Sequence, residues 1–215
     1  MEGVRFGNLH SYDDLDLLLV SKEIGSPPVK QKKTDIDGAD SAIDWTDFFG
    51  EPKYEDVTHK FDFVTIVPQT DFLTQYSKVK NALHGKKERV ILDGDPLYYY
   101  NARLFVSKFT NEKGVGNITI ECDCEPYKYK LAKTVVTKAV TGTQTITLTN
   151  GRKRAVPEVV ITTDTTMRLV YQGVNIWDLG SGSFTLPELE LVHGDNAVTV
   201  TGTGTIVFTW QEGDL

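Results

Sequence analysis

Apolar and polar residues alternate singly along most of the chain, the period of strands that bury one face. In His59–Val67 the residues Phe61 and Phe63 fall on one side before Pro68 stops the run, and Asn101–Phe109 keeps the same rhythm. One segment differs. Phe72, Tyr76, Val79 and Leu83 recur at spacings of four, three and four, which predicts an amphipathic helix near 71–84. Thr70 or Asp71 can cap its start, Lys78 and Lys80 sit toward its negative end, and Gly85 supplies a left-handed residue to stop it. A helix this short is marginal alone in water, so its apolar stripe is expected to lie across a sheet.

Beyond residue 130 threonine becomes frequent and helical periodicity vanishes. Strands are predicted at Thr143–Thr149, Val159–Thr163, Met167–Gln172, Val174–Leu179, Leu189–Val192, Ala197–Thr201 and Thr205–Trp210. Turn signals separate them at Asn150-Gly151, Gln172-Gly173, Gly180–Gly182, His193–Asn196 and Gly202-Thr-Gly204, so the last two strands read as a closing hairpin. The chain is therefore expected to be mainly β. Residues 1–130 form a β-rich domain with the helix near 71–84, and residues 131–215 form an all-β sandwich of the jelly-roll type.

A length of 215 residues and 24.0 kDa suits one large unit or two small ones, and a 40% hydrophobic content is enough to fill their cores. With 23 Lys and Arg against 30 Asp and Glu, the formal charge of -7 repels phosphate, so no nucleic-acid partner is expected. No run of apolar residues is long enough to span a bilayer, and the start of the chain lacks a signal-peptide layout. No membrane partner is expected either. Cys122 and Cys124 share the face of Ile118 and Ile120 on one strand, a spacing that forbids a disulfide between them and favours buried, reduced thiols.

The sequence carries no phosphate-cradling loop, dinucleotide fingerprint, nucleophile elbow or H-E-x-x-H helix, so no catalytic residue is assigned. The acidic run Asp35, Asp37, Asp40 and Asp44 has its glycine at the wrong place for a calcium loop and reads as a tight loop, as does Asp93-Gly-Asp95. His10, His59, His84 and His193 are scattered and read as surface or turn residues. No metal and no cofactor is expected. Lys86–Arg89 and Arg152–Arg154 read as solvated basic turns. Trp45, Trp177 and Trp210 read first as core or interface aromatics, with Trp177 the candidate platform if the chain binds sugar. Tyr98, Tyr99 and Tyr100 are candidates for a contact between subunits, since tyrosine is enriched at interfaces.

Several segments in order along the chain resemble the distal tail protein (Dit) family of phages with long non-contractile tails. They are His10–Leu19, Ile24–Lys30, Ile36–Asp47, Tyr54–Phe63, Ile120–Tyr129, Glu190–Ile206 and the ending Glu212–Leu215, and together they reach across nearly the whole chain. The resemblance implies an N-terminal ring-forming domain and a C-terminal galectin-like β-sandwich. It also implies a hexameric ring of copies of the chain at the tail tip, assembled in the host cytoplasm. Its partners would be the major tail tube protein, the tail-associated tip protein and receptor-binding or baseplate proteins. The chain has no room for the carbohydrate-binding insertions of longer members. Two other readings stay open: a carbohydrate-binding module for host cell-wall sugar, and a cell-wall glycosidase with paired carboxylates.

Overall fold

A computed structural model describes residues 2–48 and 50–215. The fold is mainly β, with one α-helix among the described residues. The chain divides into two compact units, one reaching to Lys128 and including Leu215, the other spanning Tyr129–Asp214.

The first unit contains β1 (Val4–Phe6), β2 (Leu9–His10), β3 (Leu17–Glu23), β4 (Lys33–Thr34), β5 (Ile43–Asp44), β6 (Val57–Thr65), α1 (Phe72–Leu83), β7 (Lys87–Leu92), β8 (Tyr98–Glu112) and β9 (Val115–Lys130). Its main sheet runs β2-β1-β7-β8-β9-β6-β3. The sheet curls on itself. Phe6 of β1 meets both Phe61 and Phe63 of β6 edge-on, each at 6.2 Å between ring centres, although three strands separate β1 from β6 in the sheet. The inward positions of β6, β8 and β9 continue that core through Leu104, Val106, Ile118, Ile120, Cys122 and Cys124.

Helix α1 lays Phe72, Val79 and Leu83 against this core as its period requires, with Tyr76 half-buried and stacked on Phe109 at 5.3 Å. Gln75 is buried as well and donates its side-chain N–H to the Leu15 carbonyl. The expected side-chain cap does not form. A turn of 3-10 helix at Gln69–Asp71 leads into α1, and the Thr70 hydroxyl donates to the Asp71 carboxylate at 3.2 Å instead of accepting a backbone N–H. Gly85 takes φ +79° just past the helix, as expected of a stop signal.

The second unit contains β10 (Thr134–Asn150), β11 (Glu158–Thr162), β12 (Met167–Tyr171), β13 (Asn175–Leu179), β14 (Gly182–Thr185), β15 (Gly194–Trp210) and β16 (Gly213–Asp214). Strands β10 and β15 pair antiparallel along their full 17 residues. On its other edge β15 is flanked by β12 over Arg168–Tyr171 and by β11 over Glu158–Thr162, and these are extended by β13 and β14. Two wings thus hang from one long hairpin and share a core that includes Leu148, Leu169, Val198, Val200, Ile206 and Phe208.

The joint between the wings corrects the sequence reading. Gly202-Thr-Gly204 is not a hairpin turn but a bend inside β15, and the two strands expected on either side of it are one. Gly202 faces Gly142 across the ladder, and Gly202 and Gly204 take φ +147° and +152°. Glycine pairs mark kinks in strands as well as turns, and here they let the sheet fold over its own core. Leu189–Val192, expected as a strand, contributes only an isolated bridge from Leu191 to Ala155.

Asn196, read as a turn residue, is buried. Its amide donates toward the carbonyls of Leu148, Val192 and Gly194 at 3.2, 2.9 and 3.0 Å, and its oxygen accepts the Tyr171 hydroxyl at 2.9 Å and the Val192 N–H at 3.0 Å. A fully satisfied buried amide of this kind fixes one geometry, because any other would strand polar atoms.

A Cβ added at Gly204 would stand 2.3 Å from the Thr162 carbonyl oxygen, in a backbone region that side chains avoid. Gly204→Ala is expected to destabilise the second unit by about 2 kcal/mol or more, whereas Gly180→Ala, with open space around it, should leave the melting temperature unchanged. Thermal melts of the two variants measure this, and equal midpoints would show that the bend is not under steric control.

Candidate functional site

No three His, Cys, Asp or Glu side chains converge as a metal-binding group among the described residues. The two thiols sit as the alternation predicts, buried on β9 beside Ile118 and Ile120. Burial, reinforced by the neighbouring thiol, pushes Cys122 far up, and burial beside Asp123 pushes Cys124 up to about 12. Both remain thiols near neutral pH, and neither is a nucleophile there.

Two histidines depart from the surface reading. His10 is buried between two carboxylates, with Nδ1 3.0 Å from Asp13 and Nε2 3.1 Å from Asp93. Asp93 also accepts the Gly3 N–H at 2.8 Å, so the Asp93-Gly-Asp95 turn ties down the start of the chain. His59 lies on β6 in phase with Phe61 and Phe63 and is buried with them. Its Nδ1 accepts the Gly25 N–H at 3.2 Å, which places the ring proton of the neutral form on Nε2, a buried atom without a hydrogen-bond partner. Burial holds its pKa below the usual imidazole value. His84 and His193 are exposed beside turns, as expected.

His59 borders a cleft of about 460 Å³ in the first unit, together with Pro27, Tyr54, Val57, Tyr100 and Lys128. Tyr100 meets the His59 ring edge-on at 4.6 Å, and Lys128 stands 4.4 Å over the Tyr98 ring while pairing with Asp95 at 2.8 Å. The tyrosine run is therefore divided by the strand that carries it. Tyr99 is 5% exposed under the Arg89 guanidinium, whereas Tyr98 and Tyr100 are half-buried and Tyr100 lines the cleft. Burial raises the Tyr100 pKa, so its hydroxyl keeps its proton at neutral pH.

In the second unit Trp177 is half-buried and packs against the core, leaving Ile176 in solvent. Trp210 is buried, as read from the sequence. The face turned outward from β10 and β15 carries threonines, with Thr143 and Thr145 hydrogen-bonded across the ladder to Thr201 and Thr199 at 3.0 and 3.4 Å. Beside them Arg168 clasps Asp178 through two bonds of 2.7 and 2.9 Å.

An exposed apolar group belongs to a segment that the sequence reading treated as an acidic loop. Residues 24–56, between β3 and β6, form a two-stranded arm held by the β4–β5 pair, the Val29–Tyr54 bridge and backbone bonds from Lys30 to Lys53 and from Glu55 to Pro28. Ile43, Trp45 and Phe48 are exposed on it, Phe48 by 66%, and the Trp45 and Phe48 rings meet edge-on at 5.5 Å. Asp35, Asp37, Asp40 and Asp44 lie exposed on the same arm. Hydrogen bonds from Thr46 hold the Asp44 carboxyl below its ordinary range. The irregular spacing of the arm's apolar residues gave no period to detect, but an Ile-x-Trp-x-x-Phe run among aspartates was a visible signal.

No protein-family model and no curated protein matches the sequence. Among solved structures, the Dit (gp 19.1) protein of phage SPP1, described as a paradigm of the hub adsorption apparatus in phages infecting Gram-positive bacteria, aligns over 100% of both chains. The TM-score is 0.71 at 16% identity. This chain has the Dit fold. Chains from the activated baseplate of phage p2 align over 99% of this chain and 98% of their own, with TM-scores of 0.45 in the strontium form and 0.43 in the calcium form, at 6% and 7% identity. The alignment with the SPP1 protein spans both units.

Both thiols should resist alkylation in the native protein at neutral pH and react only upon unfolding; rapid native labelling, read by intact mass, would contradict their burial. His59 is held neutral in the folded state, so the unfolded state binds more protons once the pH falls below about 6.5. Stability should then decline from that pH down to the lowered folded pKa. His59→Asn, which offers Gly25 an acceptor but does not titrate, should flatten the melting temperature between pH 7 and 5; an unchanged slope would assign the effect elsewhere.

Proposed function

We propose that the chain is a structural component of a phage tail tip, a hub ring that joins the tail tube to the adsorption apparatus of a non-contractile-tailed phage or prophage. The observation that carries this reading is the end-to-end correspondence with the SPP1 Dit protein, across both units. The ordered resemblance of segments from His10–Leu19 to Glu212–Leu215 supports it independently of coordinates. So does the chemistry of the surface. The two thiols and His59 are buried, while the arm exposes apolar rings among aspartates. These suit docking to other proteins.

In this proposal six copies close into a ring through the first unit, and the second unit is a galectin-like domain. The ring meets the tail tube protein on one side and the tail-associated tip protein on the other, and receptor-binding or baseplate proteins dock around it. Assembly takes place in the host cytoplasm, before lysis. Trp177 gives little support to sugar binding, since its ring packs on the core of its own unit.

Electron microscopy of purified particles labelled with antibody to this chain tests the reading. Label confined to the tail tip is expected, and a lysate lacking the protein should contain no infectious particles. Label on the capsid, or infectious particles without the chain, would refute the hub.

A further inference from the structure

We propose that the cleft beside His59 is a docking site for an extended, proline-rich segment of another protein, whose backbone carbonyls it holds through donors that find no acceptor within this chain. The site belongs to the single copy and holds whether or not copies close into a ring.

Three strands of the first unit meet around the cleft. Val57 and His59 lie on β6, Tyr100 on β8, and Pro126 and Lys128 on β9, while Pro27 and Tyr54 come from the two ends of the excursion between β3 and β6. Its volume of about 460 Å³ is that of a built binding pocket. The walls are held from behind. The Tyr54 ring meets that of Tyr127 edge-on at 5.9 Å, and the Val29–Tyr54 bridge fixes the backbone beside it. The bond from the Gly25 N–H to His59 draws the chain against β6, and a Cβ at Gly25 would stand 2.7 Å from the Val57 side chain, so only glycine allows this close approach.

The polar groups of the cleft are donors. His59 Nε2 carries a proton that no acceptor takes, and the Tyr100 hydroxyl makes no hydrogen bond among the described residues. Lys128 pairs with Asp95 at 2.8 Å and has further protons to give. No aspartate, glutamate, asparagine or glutamine lines the cleft. A buried donor left without an acceptor costs on the order of 1–3 kcal/mol, so a ligand gains by bringing an acceptor here. In the proposed complex the half-buried Tyr100 ring, edge-on to His59 at 4.6 Å, shifts to admit a carbonyl to Nε2, which is otherwise shut from solvent.

This donor-rich lining selects the occupant. A sugar brings a donor with every hydroxyl, and those donors would meet no side-chain carboxylate or amide. A run of prolines brings carbonyls alone, because proline has no N–H and its extended left-handed helix makes no internal hydrogen bonds. Proline rings also pack on aromatic walls, and the helix is already ordered before it binds. Since Asp95 balances Lys128, the cleft calls for no charge on the segment.

Titration of the full chain with an end-blocked hexaproline peptide, read by calorimetry and by the NMR signals of the His59 ring, tests the site. Saturable binding below about 1 mM is expected, with the His59 signals moving in step. Tyr54→Ala removes a wall and should weaken binding at least about tenfold. Tyr100→Phe keeps the ring but loses the donor, and should weaken it about threefold. A glycine–serine peptide of the same length and a hexamer of N-acetylglucosamine should not displace hexaproline. Absence of hexaproline binding at about 1 mM, equal binding by both variants and the unaltered chain, or displacement by the sugar hexamer would overturn the proline site.

Discussion

The pairing of β3 with β6 organises the first unit and the arm that grows from it. It brings Leu17 beside Thr65 and Lys22 beside Phe61, closing the sheet edge over the phenylalanine core, and it holds together the two roots of an excursion that runs from residue 24 to residue 56. The entropy of closing so long a loop rises only slowly with its length, so a well-packed base can support it. The base is well packed because β6 presents Val57, His59, Phe61, Phe63 and Thr65 to the interior in unbroken alternation. Without it the arm would be a floating loop. With it, Ile43, Trp45 and Phe48 are carried on a fixed root.

That frame separates side chains satisfied inside the unit from side chains left to solvent. Specificity here is a matter of which surfaces are finished internally and which are left incomplete. His10, Asp93, Gln75 and Asn196 all have their polar atoms engaged inside their own unit. Trp45, Phe48 and Phe105 do not bury their rings within the chain. Exposed aromatic rings of this kind are a surface feature typical of contacts with other proteins.

Much of this was legible in the sequence, and where it was not, the reason is physical. The helix could be read because Phe72, Tyr76, Val79 and Leu83 obey a period that no strand shares, and the thiols because a two-residue spacing on a strand fixes their common face. His59 was misread by its residue type, although its phase with Phe61 and Phe63 already placed it inside. The same alternation divides Tyr98, Tyr99 and Tyr100 between two faces. Gly202 and Gly204 are another matter: a glycine pair permits both a turn and a bend, and only the long-range partner, β10, decides between them. Asn196 shows the same limit, since its burial depends on Leu148 and Tyr171, far away along the chain. The arm escaped because Ile43, Trp45 and Phe48 face solvent and follow no internal period.

The uninterrupted β10–β15 ladder has a mechanical side. Both wings of the second unit are bonded to β15, and β15 is bonded to β10 from Thr134 opposite Trp210 to Asn150 opposite Gly194. A pull along the strands loads these rungs in parallel, as shear, whereas a pull across one end would peel them off singly.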